Sequence, residues 1–401
     1  MIVRAKLVVT MDGVPIENGA VAISGDQIAG VGKFSEISAA HAGEEIVDLG
    51  EQALLPGLIN AHCHLDYTCL RGKIPPQKSF ADWIRLINAA KAKLSPEDYA
   101  ASINEGFAEA KRFGTTTIAN LTAFPELISR IDPPIRTWWF AELIDVRDRR
   151  RATDIVDLAV ENLKSQEHWG LAPHTPFTAS TDLYRRCEEI AQREDILLTT
   201  HSAESGEEMS MFRDGRGPLY EFVREIGRDM SDCGKRTPVG RFLNWVIEGN
   251  RPYLLVHMNE LSNGDLNALK ESVGKDSMVH CPRSHQYFGH SPFPFEKLRK
   301  LGFNICLGTD SLASNDNLNL FAELRAFQKE FPDVSAEEIF RMVTMNPALA
   351  LQEQDRLGKI CAGFVADLIA IPIAKSTSVL EEIIAFNHAV SWSMVGGRIL
   401  A

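Results

Sequence analysis

The sequence predicts an α/β fold, a (β/α)8 barrel of TIM type with a small β-sandwich domain built from both chain termini. Three observations predict it. Between residues 54 and 354 short apolar strands alternate with amphipathic helical stretches. The two ends of the chain are strand-rich and unlike the middle. No Gly-x-Gly-x-x-Gly follows the first strand of the middle region, which disfavours an open doubly wound sheet. The expected division is 1–53 plus 355–401 for the composite terminal domain and 54–354 for the barrel.

Size and composition fit that division. A chain of 401 residues with 45% apolar residues can bury a large core. A formal charge of −12 with no basic stripe argues against nucleic acid or an anionic membrane as partner and leaves a small molecule. The seven cysteines include no Cys-x-x-Cys pair, and several lie in apolar runs, which fits reduced thiols. With no signal-peptide core and no apolar run of transmembrane length, a cytoplasmic protein is expected. Oligomeric state stays open, with a homodimer as one option.

In chain order, Ile2-Val3 and Leu7–Thr10 lead to a turn at Asp12-Gly13, and Ala20–Ile23 and Gln27–Gly32 flank Gly25-Asp26. The stretch from Leu54 to Asp66 reads as one buried strand. Further strands are expected at 115–119, 137–144, 170–174, 196–201, 253–257, 278–281 and 303–310, giving eight with the first. Helices are expected at 96–113 and 181–193. The segment 202–252 is too long for a simple crossover, and long inserts after barrel strands often cover a site. Strands return at 366–371 and 390–395, before Gly396-Gly397-Arg398.

The chemistry begins at His62-Cys63-His64. Alternation along a strand puts both imidazoles on one face, and a divalent metal is the usual reason for two neutral imidazoles side by side. Further polar residues stand at the expected C-terminal ends of other strands: His174, His201, His257 and Asp310. Imidazoles with one carboxylate suit zinc, iron(II) or manganese. Glu204 follows His201 by three residues. Arg147 and Arg149–Arg151 could bind a substrate carboxylate but read first as a solvated charge run, and His41, His168, His290 and His388 read as surface or loop histidines. Zinc deaminases of polynucleotides use His-x-Glu with Pro-Cys-x-x-Cys, which is absent.

Taken together, Pro56-Gly-Leu-Ile-Asn-Ala-His-x-His64, His201-Ser-Ala-Glu204, His257, Gly308-Thr-Asp310 and Gly358-Lys-Ile-x-Ala-Gly-x-x-Ala-Asp367 resemble the amidohydrolase superfamily along nearly the whole chain. Binuclear members carry a carboxylated lysine on strand 4. Ala172-Pro-His174 there resembles the mononuclear aminohydrolase and chlorohydrolase branch instead. The resemblance implies one divalent ion, zinc first and iron(II) next, held by His62, His64, His201 and Asp310. It also implies catalytic roles for Glu204, His257 and Asp310. Asp310 would take a proton from a metal-activated water attacking an amidine-like ring carbon, Glu204 would protonate the ring nitrogen, and His257 would orient the water.

Finer motifs are similar to aminodeoxyfutalosine deaminases of menaquinone biosynthesis: Thr200–Ser205, His280-Cys-Pro-Arg-Ser284, Thr309–Asn315 and Glu323–Phe327. Expected substrate contacts are His174, Glu142 and Trp83, the last in an aromatic lid. The implied function is hydrolytic deamination of a 6-aminopurine nucleoside-like molecule. Alternatives are an S-adenosylhomocysteine, methylthioadenosine or guanine deaminase, a triazine chlorohydrolase, or a metal-free scaffold. His285 stands where many relatives have Asn.

Overall fold

The computed structural model describes residues 1–246, 251–374 and 378–400. The barrel strands are Leu58–His64, Thr115–Thr122, Arg136–Leu143, Trp169–Pro173, Leu197–Ser202, Tyr253–His257, Ser277–His280 and a divided eighth, Asn304–Leu307 with Asp310–Ser311. Each runs parallel to the next, in chain order. Asn304–Leu307 bonds the seventh strand and Asp310–Ser311 bonds the first, so the eighth strand joins both. This is the expected α/β barrel.

Its helices begin where capping chemistry allows. Ser95 and Asp98 form a capping box at Pro96–Arg112, and Ser180 caps Thr181–Glu194. Apolar side chains alternate along the strands. Ile59, Ala61, Leu121, Phe140, Leu254, Val279 and Cys306 fill the interior, whereas Leu58, Cys63, Ile118, Leu198 and Leu255 pack outwards with the helices.

A second sheet is built from both termini. Ile2–Val8, Ile16–Ser24, Gln27–Lys33, Ile46–Asp48 and Gln52–Pro56 join Leu368–Pro372, Trp392–Val395 and Arg398–Leu400. Gln52–Pro56 is the junction, parallel to Ile2–Val8 and antiparallel to Leu368–Pro372. Val3, Val21 and Ile28 share one buried cluster with Leu368, Ala370 and Met394, so strands from both ends of the chain hold a common core.

Two local readings change. The helix Phe34–Ala40 interrupts the expected run of strands and buries Ile37 against the terminal sheet. The stretch from Leu54 is not one strand: it divides at Gly57, with Gln52–Pro56 in the terminal sheet and Leu58–His64 in the barrel. A Cβ at Gly57 would collide with the Thr116 side chain, so the crossing between sheets needs glycine.

The 202–252 insert forms helices Gly206–Asp214, Pro218–Glu225 and Pro238–Val246, and its residues 247–250 lie outside the described set. All seven cysteines are free. No helix among the described residues is long and apolar enough to cross a membrane.

Candidate active site

The site is assembled at the C-terminal ends of the barrel strands. In the first strand the register shifts between Asn60 and Cys63. The shift changes strand parity, so His62 and His64 face the interior that Ile59 and Ala61 also face, while Cys63 packs outwards. Asn60 fixes the neighbouring turn: its Nδ2 donates to Thr309 Oγ1 at 2.8 Å. Gly308 lies against the first strand, where an added Cβ would stand 2.7 Å from the His62 carbonyl and 3.0 Å from its nitrogen. Backbone cannot yield easily there. Gly308→Ala is expected to destabilise the protein by about 1–3 kcal/mol, read as a lower urea midpoint.

Three imidazoles converge. His201 Nε2 lies 3.3 Å from His62 Nε2 and 3.4 Å from His64 Nε2. Asp310 Oδ1 stands 3.8 Å from His62 Nε2 and 3.9 Å from His64 Nε2. All four side chains are buried. Ring nitrogens that meet without protons between them repel through their lone pairs, and a shared cation removes the repulsion. Zinc–nitrogen bonds of about 2.0–2.1 Å in a tetrahedron set donor atoms roughly 3.3–3.4 Å apart, which matches the imidazole spacing. His201 is oriented from behind by the His174 carbonyl, 3.1 Å from its Nδ1. The donor set therefore fits a divalent metal.

Electrostatics agree. Burial pushes the His64 imidazole down to about 4 and holds His201 well below its ordinary value, so both are neutral donors at pH 7. Burial would raise the Asp310 carboxyl, but the His62 hydrogen bond and the nearby His257 and His64 hold it well below the usual range. Ser284 Oγ donates to Asp310 Oδ2 at 2.6 Å, and the Ser311 N–H to Oδ1 at 2.7 Å. Ala203, His257, Met258 and Asp310 all have positive φ. Such strain in non-glycine residues clusters at functional strand ends.

Around this centre lies a cavity of ≈ 400 Å³. His64, Trp83, Glu142, His174, His201, Glu204, His257 and Asp310 all line it, and His62 is buried beside them. Glu204 Oε1 is 3.7 Å from His257 Nε2. Burial opposes its ionised form, but His257 and His290 outweigh that and lower its pKa. Glu142 sits between His64 Nδ1 at 3.8 Å and His174 Nε2 at 3.6 Å, and these imidazoles likewise outweigh burial. Trp83 belongs to the helix Phe80–Lys91 rather than to a loop. It stacks on Phe80, meets Phe288 edge-on and donates from Nε1 to Tyr287 at 3.2 Å. Phe222 and Ile226 of the insert complete the same wall.

His290 and His168 are loop histidines, but neither lies open to solvent: the His290 side chain is 8% exposed, with Nε2 3.8 Å from Glu204 Oε1, and His168 stacks on Trp138 at 3.9 Å. Arg147 lines the cavity, while its neighbours Arg149 and Arg150 pair with Asp229 and Asp148 as a surface run would. Lys91 and Tyr67, not singled out in the sequence, also line it. His285 is buried against His280 and does not reach the cavity.

Glu208 lies beneath Glu204 and accepts its backbone N–H at 2.8 Å. Burial raises its pKa to about 8. The folded state therefore keeps a proton that the unfolded chain releases above the ordinary carboxylate range. The Glu208 contribution to stability is full below pH 4.5 and declines as pH rises towards 8. Glu208→Gln keeps an acceptor and cannot ionise. Its melting temperature relative to wild type is expected to rise between pH 5 and pH 8, by the equivalent of roughly 1 kcal/mol or more.

Known proteins share this architecture. The Amidohydrolase family model matches residues 53–400. A 5-methylthioadenosine/S-adenosylhomocysteine deaminase of Syntrophobacter fumaroxidans is 30% identical over 385 residues, covering 91% of this chain and 82% of the relative. Helicobacter pylori aminofutalosine deaminase, solved with methylthio-coformycin, superposes with a TM-score of 0.88 at 21% identity, covering 100% of both chains. A zinc-bound adenosine deaminase from Xanthomonas campestris gives a TM-score of 0.79 at 24% identity, covering 99% of this chain and 92% of that one. With 348 consecutive residues (53 to 400) inside the family model and a relative at 30% identity, this chain belongs to the amidohydrolase family.

Proposed function

We propose that this chain is a metal-dependent hydrolytic deaminase of a 6-aminopurine nucleoside bearing a carboxylate, with aminodeoxyfutalosine as the preferred substrate. The observation that carries the reaction type is the placement of two carboxyl groups, Asp310 and Glu204, around one imidazole cluster in one cavity. A divalent ion held by His62, His64, His201 and Asp310 would supply Lewis acidity, lowering the pKa of a water.

The chain's own groups do the rest. Asp310 accepts a proton from the attacking water, and its lowered pKa makes it ionised and ready. His257 orients that water. Glu204 passes a proton to the purine nitrogen next to the carbon under attack, which removes negative charge from the ring as the tetrahedral centre forms. Asp310 then returns its proton to the amino group, and collapse expels ammonia. A proton on the ring nitrogen assists addition whichever group leaves, and it is the deaminase relatives that favour loss of ammonia over loss of chloride. Glu142 and His174 stand on the opposite side, placed to hold the nucleoside. Trp83, Phe80 and Phe288 shield the reacting atoms from water.

The carboxylate reading rests on the cavity rim. Lys91 and Arg147 both line it, and Lys91 lies 4.4 Å over the Tyr67 ring. Two cations at the mouth suit a nucleoside with an anionic tail. The same feature supports a second reading, S-adenosylhomocysteine, which the Syntrophobacter relative's name also favours. Methylthioadenosine has no carboxylate. Lys91→Ala and Arg147→Ala are expected to raise KM for the carboxylate-bearing substrate about tenfold each, close to 1.4 kcal/mol, and to leave KM for methylthioadenosine unchanged. Steady-state ammonia release on aminodeoxyfutalosine, S-adenosylhomocysteine and methylthioadenosine tests both points. Equal KM increases on all three would refute the anionic-tail assignment.

A further inference from the structure

His290 lies between two cavities. The inner one holds Glu204, and a separate outer one of ≈ 360 Å³ is lined by His290, Ser205, Glu207 and Glu260. Phe80 and Phe288 line both and form the partition. His290 stacks on Phe288 at 5.0 Å and meets Phe80 edge-on at 5.9 Å, so its ring is held in that wall. Its Nε2 is buried without a hydrogen-bond partner and points to Glu204 Oε1 at 3.8 Å. A movement of a few tenths of an ångström makes that contact a hydrogen bond, as happens when active sites tighten on substrate. His285 is its other titratable ring neighbour, at 5.8 Å.

We infer that His290 is a positioning residue for Glu204 and the path by which a proton from the outer cavity reaches that carboxylate while a nucleoside fills the inner one. This rests on the deaminase reading, and the balance follows from it. Hydrolysis that ends in ammonium consumes one aminopurine, one water and one proton, and yields one 6-oxopurine and one ammonium ion. Asp310 returns both protons of the water to nitrogen, one to the amino group before the C–N bond breaks and one to the ammonia after it. The proton that ends on the ring nitrogen comes from solvent: an outer water protonates one imidazole nitrogen, the other releases its proton to the Glu204 carboxylate, and Glu204 delivers it. No oxidant or further reactant is needed.

The test uses full-length metal-loaded protein with His290→Ala and His290→Gln. Both variants are expected to melt like wild type, with kcat lowered tenfold or more and KM little changed. Added imidazole, small enough for the outer cavity, should restore kcat of His290→Ala in a saturable way and leave wild type unaffected. Wild-type kcat in either variant, or a loss that imidazole does not restore, would overturn the inference. A measurement independent of turnover accompanies it. In histidine-labelled protein the His290 ring resonances should move on Glu204→Gln while those of exposed His388 stay put, and unmoved His290 signals would refute the contact. Absence of ammonia release by wild type would instead count against the deaminase reading, which the resonance experiment does not require.

Discussion

Glu204→Gln is expected to lower kcat for ammonia release by a factor on the order of 10²–10⁴, with KM changed little and metal content unchanged. The substitution preserves shape, and the backbone contacts of residue 204 with Glu208 and Asn259 do not involve its side chain. What it removes is a carboxylate that can take up a proton and pass it on, through Oε1, the atom that faces both His257 and His290. Ground-state binding should survive because Glu142, His174 and the aromatic wall are untouched. Parallel measurement of kcat, KM and bound metal separates this loss from misfolding or metal loss. A variant within threefold of wild type would remove Glu204 from the reaction.

His201→Ala is expected to reduce bound metal from one ion per chain to a small fraction and activity to background. His201 is the imidazole whose Nε2 touches both His62 and His64, and its other nitrogen is already held by the His174 carbonyl. Without it the set loses the donor that lies within 3.4 Å of both other imidazoles, and only His62, His64 and the more distant Asp310 remain. Wild type stripped with a chelator should lose activity likewise and regain it with zinc or iron(II), whereas His201→Ala should not. Elemental analysis alongside ammonia release reads both. Full metal content in His201→Ala would show that the cluster is not the binding site.

Much of this was legible in the sequence because barrel chemistry follows strand ends. A run such as Tyr253–His257 announces itself by apolar alternation, and the polar residue that stops it falls on the rim. The donor residues lie at such stops, and the structure brings them together. His290 carried no such signal. It follows the helix Pro282–Phe288 in an irregular segment, and its importance arises from the wall formed with Phe80, more than 200 positions away. Arg147 was hidden in a charge run whose other members are surface residues, and it lines the cavity from the exposed loop that follows Arg136–Leu143. The parity change between Asn60 and Cys63 was equally invisible, because both parities of that strand are buried. Gly57 might as well have been an ordinary strand residue until Thr116 was placed against it.

Metal-dependent deamination in one cavity is tested by product stoichiometry on metal-loaded protein. Aminodeoxyfutalosine, S-adenosylhomocysteine, methylthioadenosine, adenosine, guanine and a chlorotriazine would each be incubated with the enzyme, and ammonium and 6-oxopurine quantified together. One ammonium per 6-oxopurine is expected, formed fastest with aminodeoxyfutalosine, and none after chelation. Chloride release from the triazine without ammonium from any purine, or no turnover at all by protein holding one metal ion per chain, would contradict it.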